Sequence, residues 1–282
     1  MPKIGFVTTA ELPAMPASDV LVRAELEKLG HEVQAILWDA GEPTERLDLV
    51  VFRSCWNYHL HPDAFRCWIQ NLDAAGKQTL NPAATLLWNL DKRYLLEIAA
   101  HVPIVPTEVL LNPTPADIEA VRLRHGWAEI IVKPAIGCTA YQNRRLLTAE
   151  DFAGLANDPL PEVSLVQPYL RSIQSDGEFA LIFFDGIYSH AVRKTPAEGD
   201  YRVQEEFVGW IRPAQPPEDV RAVAQRAVDF LPEPPIYARV DVAFGDHGPI
   251  VMELELIEPE LFIDRTPEAA ARFAAAIHAR IG

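Results

Sequence analysis

Tyr237–Phe262 reads YARVDVAFGDHGPIVMELELIEPELF. It alternates as two strands around a turn-rich link, Gly245 to Pro249. Arg239 and Asp241 share one face of the first strand, with Val240 and Val242 on the other. Glu253 and Glu255 share a face of the second, with Met252, Leu254 and Leu256 opposite. One hairpin register sets Asp241 across from Glu253, so three carboxylates converge. Like charges directly opposite destabilise a sheet, and the pattern therefore asks for a cation. Mg2+ suits it, because that ion takes carboxylate oxygens together with substrate phosphates. Alternating glutamates also describe a solvated sheet face. The choice turns on whether the rest of the chain supplies phosphate-binding groups.

The chain has 282 residues, 49% of them apolar and 23% charged, which suits a packed core and leaves room for more than one domain. A formal net charge of -15 argues against nucleic acid or an anionic membrane as a partner. No apolar run approaches the length of a membrane span, and the N-terminus lacks the apolar stretch of a signal peptide. Cys55, Cys67 and Cys138 form no CxxC pair. This fits neither a disulfide framework nor a zinc site, and the expected compartment is a reducing cytoplasm.

Upstream, residues 1–83 predict a small doubly wound α/β domain. Its strands are Lys3 to Thr8, Val33 to Trp38 and Leu47 to Phe52. Its helices are one capped by Ser18 or Asp19, carrying Val22, Leu26 and Leu29, and one over Pro62 to Ala75. Ligands bind at the carboxyl ends of such strands. Arg53, Ser54 and Trp56 lie there, and Arg53 is read equally as a substrate anchor or as the partner of a nearby acid. His59 and His61 read as surface loop rather than metal ligands.

Residues 84–165 predict a central subdomain. A helical stretch holds Trp88, Tyr94 and Ile98 with Asp91-Lys92 inside it. A strand from Glu129 to Pro134 delivers Lys133 into a loop, Ile136 to Tyr141, whose backbone N–H groups can cradle phosphates. Residues 166–282 predict a second subdomain. Ser164 to Leu170 is a strand, and Gly177 to Phe184 and Ile187 to Arg193 form a hairpin about Asp185-Gly186. Arg193, Lys194 and Arg202 make a cationic cluster, read either as a polyphosphate pocket or as partners of the neighbouring acids. A helix from Glu218 to Phe230 and a final helix with Phe273 and Ile277 complete the chain.

The ordered set resembles the ATP-grasp superfamily. It runs from Asp91-Lys92 through VKP at Val132 to Pro134 and QPYL at Gln167 to Leu170. AVRK through GDYR at Ala191 to Arg202, RVD at Arg239 to Asp241 and ELE at Glu253 to Glu255 follow. Within it the chain looks most like the branch of prokaryotic glutathione synthetase, the ribosomal-protein glutamate ligase and the D-cycloserine-forming ligase. The resemblance implies a small N-terminal α/β domain followed by two α+β subdomains that sandwich ATP.

It also implies roles. Lys92 and Lys133 would contact the ATP phosphates, under a loop that includes Ile136, Gly137, Cys138 and Thr139. Gln167, Pro168, Tyr169 and Leu170 would meet adenine, and Glu178 the ribose. Arg193, Lys194 and Arg202 would face the transferred phosphate or the acyl substrate. Asp241, Glu253 and Glu255 would hold Mg2+. Two departures stand out: many relatives have Glu-x-Asn at Glu253-x-Glu255, and the loop is poor in glycine.

The implied activity is an ATP- and Mg-dependent carboxylate–amine ligase working through an acyl phosphate on small-molecule carboxylate and amine substrates. Ring closure within one molecule is one form of it, and a homodimer stays open as the assembly. A nucleotide-responsive binding protein and a small-molecule kinase are the alternatives.

Overall fold

A computed structural model describes residues 1–155, 157, 159–197 and 209–281. Three sheets organise the chain, and each is seeded by strands whose apolar runs leave no polar face to expose.

The first sheet is parallel in the order β2-β1-β3-β4, from β1 (Lys3–Thr8), β2 (Glu32–Leu37), β3 (Leu49–Phe52) and β4 (Gln78–Leu80). All four residues of β3 are buried, as a central strand covered on both faces requires. Helix α1 (Ala17–Lys28) begins after Pro16, so Ser18 and Asp19 are not its caps. They lie in its first turn and reach across the molecule, Ser18 to Glu260 and Asp19 to Arg53. Leu29 is exposed, outside the expected stripe. Helix α2 (Pro62–Ala74) buries Phe65, Ile69 and Leu72.

The predicted helical stretch after Pro82 divides into α3 (Ala83–Asn89) and α4 (Tyr94–Ile98), and Asp91-Lys92 occupies the break. The second sheet, order β5-β8-β6-β7, comprises β5 (Glu108–Leu111), β6 (Ile130–Pro134), β7 (Arg144–Leu146) and β8 (Val163–Pro168). Helices α5 (Pro115–His125) and α6 (Ala149–Gly154) cover it, each opened by a capping box, Thr114 with Asp117 and Thr148 with Asp151.

After the single-turn α7 (Ser172–Ser175), the third sheet holds β9 (Glu178–Phe184), β10 (Ile187–Thr195) and β11 (Trp210–Ala214). It ends with β12 (Tyr237–Gly245) and β13 (Gly248–Glu255), in the order β11-β10-β9-β12-β13. Asp185 and Gly186 both have positive φ (50° and 73°), the backbone that a two-residue hairpin turn demands. Helix α8 (Glu218–Asp229) packs on β12 and β13, and α9 (Ala269–Ile281) lies against α1. Through α9, the core of the first sheet runs into that of the third: Ile4 and Phe6 belong to one apolar cluster with Ile182, Tyr237 and Phe273.

The sequence reading contains neither β4, β5, β7 nor β11. All four are edge strands. An edge strand has one neighbour and a solvated flank, so it needs no continuous apolar run.

The β13 edge of the third sheet is covered. Asn89 donates to Leu254 O at 2.8 Å and accepts from Leu256 N at 2.8 Å, and the Tyr94 hydroxyl accepts from Leu254 N at 2.9 Å. Further along, Val251 N donates to Pro103 O and Val105 N to Val251 O, both at 2.9 Å. Asn81 pins the same region: its amide donates to Tyr237 O and Leu256 O and accepts from Ile236 N. Asn89 on α3, Tyr94 on α4 and Asn81 just ahead of α3 thus stand in for a missing strand.

Candidate active site

Strands β12 and β13 pair with Asp241 opposite Glu253 and Arg239 opposite Glu255. A bulge next to Asp241 breaks the alternation, and Met252, expected on the opposite face, lines the cleft. Oxygens of Asp241, Glu253 and Glu255 come within 4.8 Å of one another. The converging carboxylates do not stand alone. Arg239 reaches Asp241 at 3.0 Å and also bonds Glu255; Lys92 meets Glu253 at 2.5 Å; Lys194 bonds Glu178 and lies 3.1 Å from Asp241. Protein cations already offset the repulsion that the sequence assigns to a metal.

These groups lie against a cavity of about 540 Å³, within the size range of small-molecule sites. Its walls come from all three sheets. Trp56 and Tyr58 belong to the connection after β3, and Lys133 to β6. Gly137, Cys138, Thr139, Ala140 and Tyr141 form the loop that follows. Gln167, Pro168, Tyr169 and Leu170 line the far side, with Ile131, Ile173 and Met252.

Lys133 is 8% exposed, and among the described residues no carboxylate lies within ion-pair distance of it. Burial holds its pKa below the ordinary lysine value. Glu178 faces the same cavity and is 7% exposed. Its carboxyl is raised by burial, against the pull of Lys194. Glu178 follows Gly177, whose φ is +72° and where a Cβ would sit 2.7 Å from Lys194 O; only glycine lets the two strands close there. Burial also presses Glu253 upward, but Lys92 and Lys133 overcome it and leave the group well below the ordinary range. Glu255 goes the other way: burial together with Glu253 and Asp241 outweighs Arg239 and raises it. Neighbouring carboxylates thus carry opposite shifts.

The predicted residues separate on this geometry. Lys92, Lys133, Gly137, Cys138, Thr139, Gln167, Pro168, Tyr169, Leu170, Glu178, Lys194, Asp241, Glu253, Glu255 and Trp56 line the cavity. Four do not. Ile136 packs against the first-sheet core. Arg193 precedes Lys194 on a strand, so it takes the other face and donates to Ser175 O. Arg53 is 2% exposed; it donates to Asp19 at 2.8 Å and to Pro259 O, and lies over the Tyr237 and Phe273 rings. It is a core cation, and the acid it pairs with sits on α1 rather than in its own loop. Ser54 is buried beside it. Arg202 lies outside the described residues.

Sequence reasoning did not assign Arg239, Tyr58 or Glu258 to the site. Arg239 was readable, because it stands two residues before Asp241 on one strand face. Tyr58 and Glu258 had no such signal. Cys138 closes a further contact: its Sγ lies 3.0 Å from His59 Nδ1 and donates to Trp56 O at 2.7 Å, so His59 is half-buried against a thiol and not free on a surface loop. This loop, poor in glycine, holds Thr139 and Ala140 at φ of 49° and 56°, a left-handed backbone that costs about 1–2 kcal/mol per non-glycine residue.

Asp241, Glu253 and Glu255 are hard oxygen donors, the set a magnesium ion takes beside phosphates. An apolar slot, an unpaired lysine and a carboxylate trio in one cavity can hold a nucleoside triphosphate with its metal.

A family model described as D-cycloserine synthetase DcsG, N-terminal domain, matches residues 4–81. The chain is 34% identical over 271 residues to the cycloserine biosynthesis protein DcsG of Streptomyces lavendulae, covering 90% of each. It is similar to the crystal structure of D-cycloserine synthetase DcsG, with TM-score 0.87 and 30% identity over 99% of this chain and 100% of that one. A RimK domain ATP-grasp protein from Sphaerobacter thermophilus aligns at TM-score 0.73 and 15% identity over 98% and 99%, which shows the fold.

Proposed function

Because this chain belongs to the family of ATP-grasp ligases that includes D-cycloserine synthetase, we propose that it activates the carboxylate of a small amino-acid-like substrate with ATP and magnesium. The activated carbonyl then forms a C–N bond, by ring closure within the same molecule. The observation that carries this reading is Lys133, buried and without an ion partner among the described residues, in one cavity with Asp241, Glu253 and Glu255. A buried cation of that kind is costly unless an anion arrives.

In this reading, Gln167 to Leu170 receive adenine and Glu178 the ribose. Lys92, Lys133 and the Gly137 to Thr139 backbone receive the phosphates. Asp241, Glu253 and Glu255 would hold the metal, which neutralises charge on the phosphates when bound. A substrate carboxylate oxygen attacks the γ-phosphorus, the bond to the β-phosphate oxygen breaks, and ADP leaves. The substrate nitrogen then attacks the acyl carbon, the C–O bond to phosphate breaks, and inorganic phosphate departs with the electron pair. Positioning and charge neutralisation supply the catalysis of the first step. Segment 1–83 gives the acceptor wall, 84–165 the phosphate loop and 166–282 the metal carboxylates.

The test is incubation with ATP, Mg2+ and a panel of amino acids and O-substituted serines, with hydroxylamine as the trap. ADP together with a hydroxamate supports the reading, because an ordinary phosphate ester yields none. Tight nucleotide binding without ADP across the panel, or ADP with a stable phosphate ester, would overturn it.

A further inference from the structure

Charges around the cavity do not cancel evenly. Four cations line it among the described residues: Lys92, Lys133, Lys194 and Arg239. Three of these are taken by Glu178, Asp241, Glu253 and Glu255, and the fourth, Lys133, faces the proposed phosphate site. Two more carboxylates, Glu258 and Glu260, lie on the wall shared with Trp56 and Tyr58. Neither has a cation within ion-pair distance among the described residues.

The two differ. Glu260 is half-buried, and its carboxylate accepts from the Ser18 hydroxyl at 3.0 Å and from Phe262 N at 2.8 Å. Neutral donors hold it in place. Glu258 is 7% exposed, and the buried Tyr58 lines the same wall of the cavity. Lys92 lies near enough to attract it but is committed to Glu253. The segment is fixed from behind, since Trp56 Nε1 donates to Glu258 O at 2.9 Å. A carboxylate this deeply buried and, among the described residues, without a cation at ion-pair distance is costly as an anion unless a cation joins it. Asp241, Glu253 and Glu255 form the close carboxylate trio, and Glu258 is not part of it.

We infer that Glu258 is the seat of the substrate's ammonium group, so that the acceptor wall of the cavity selects amino acids over other carboxylic acids. The ammonium sits against Glu258, on the wall that Tyr58 shares. Trp56 supplies an apolar flank, and the substrate carboxylate extends toward Lys133 and the phosphates. Two unpaired charges, one of each sign, thereby fix the direction in which an α-amino acid enters. The inference rests on the ligase reading above and adds the feature of the substrate that is recognised.

Hydroxamate formation reports the activation step alone, so it separates recognition from ring closure. Each amino acid of the panel is paired with its N-acetyl and des-amino counterparts. Wild type should form hydroxamate with the free amine only. Glu258→Gln should raise the KM for that amine by roughly 30-fold or more and narrow the preference over the N-acetyl partner. Calorimetric affinity for a non-hydrolysable ATP analogue should stay as in wild type. Equal use of acetylated and free substrates by wild type would overturn the inference while leaving the ligase intact. Undiminished discrimination by Glu258→Gln would do the same. Nucleotide binding without hydroxamate from any acid would remove the ligase reading and this one with it. If Glu258→Gln fails to fold, the wild-type comparison decides alone.

Discussion

The covered edge of β13 gives a graded test of how the site is held. Tyr94→Phe removes the acceptor of one buried group, Leu254 N. Asn89→Ala removes the partners of two, Leu254 O and Leu256 N. Leu254 and Leu256 are fully buried and Asn89 is 7% exposed, so the lost bonds sit away from bulk water. An unsatisfied buried polar group costs about 1–3 kcal/mol. Tyr94→Phe should therefore cost about 1–3 kcal/mol and Asn89→Ala about 2–6 kcal/mol, against a total of about 5–15 kcal/mol for a typical domain. Both act through Leu254, so the double variant should depart from additivity. Urea unfolding measures these values, and an unchanged m-value confirms that stability alone has moved. Leu254 stands between Glu253 and Glu255, so the folded fraction of Asn89→Ala should also bind an ATP analogue with Mg2+ more weakly than wild type. Costs under about 0.5 kcal/mol for both variants, the range of an ordinary surface substitution, would refute the claim that these side chains complete the sheet. So would a larger loss from Tyr94→Phe than from Asn89→Ala.

Three further outcomes are expected. Glu253→Gln should cut ADP formation by roughly 100-fold or more, a far larger effect than its cost to folding; a variant that simply unfolds would show a structural role instead. Lys133→Met should raise the KM for ATP at least 10-fold yet stabilise the ligand-free protein by about 1–2 kcal/mol, because it removes a buried charge that has no partner; loss of stability would count against that account. His190 is 6% exposed and accepts from Ser189 at Nδ1 while donating from Nε2 to Leu261 O. Burial depresses its pKa from 6.5 to about 4. The unfolded chain takes up a proton at the higher value, so this stability is complete above about pH 6.5 and is lost as pH falls through about 4. The shift corresponds to about 3 kcal/mol. His190→Gln should flatten that acid limb in urea-derived stabilities, and an unaltered limb would refute the assignment.

Much of the fold is legible because burial writes itself into periodicity. The Lys3 to Thr8 and Leu49 to Phe52 runs, the Asp185-Gly186 turn and the Asp241 to Glu253 register all follow from residue pattern. The four edge strands did not announce themselves, since an edge needs backbone geometry more than apolar side chains. At the site, the signals that marked cavity-lining residues were local ones: Lys133 at the end of an apolar strand, and acids two residues apart on a strand. Adjacency misled for Arg193 and Lys194, where strand alternation allows only one of a neighbouring pair into the cavity. Arg53 was ambiguous for a different reason. Its partner Asp19 lies 34 positions away on α1, and no spacing rule connects a loop cation to a helix acid. Glu258 and Tyr58 meet only through the tertiary fold, so nothing in either stretch marks the pair.

The pairing of Lys92 with Glu253 and of Arg239 and Lys194 with Asp241 makes the ligand-free cavity an internal salt. Loading such a site is an exchange of ions rather than an addition of them. A polyphosphate that draws Lys92 toward itself leaves Glu253 without a counter-charge, and a dication that takes Glu253 leaves Lys92 without one. Each arrival lowers the free-energy cost of the other, so nucleotide and metal would bind as heterotropic partners. Linkage makes the coupling reciprocal: the factor by which ATP tightens the metal equals the factor by which the metal tightens ATP.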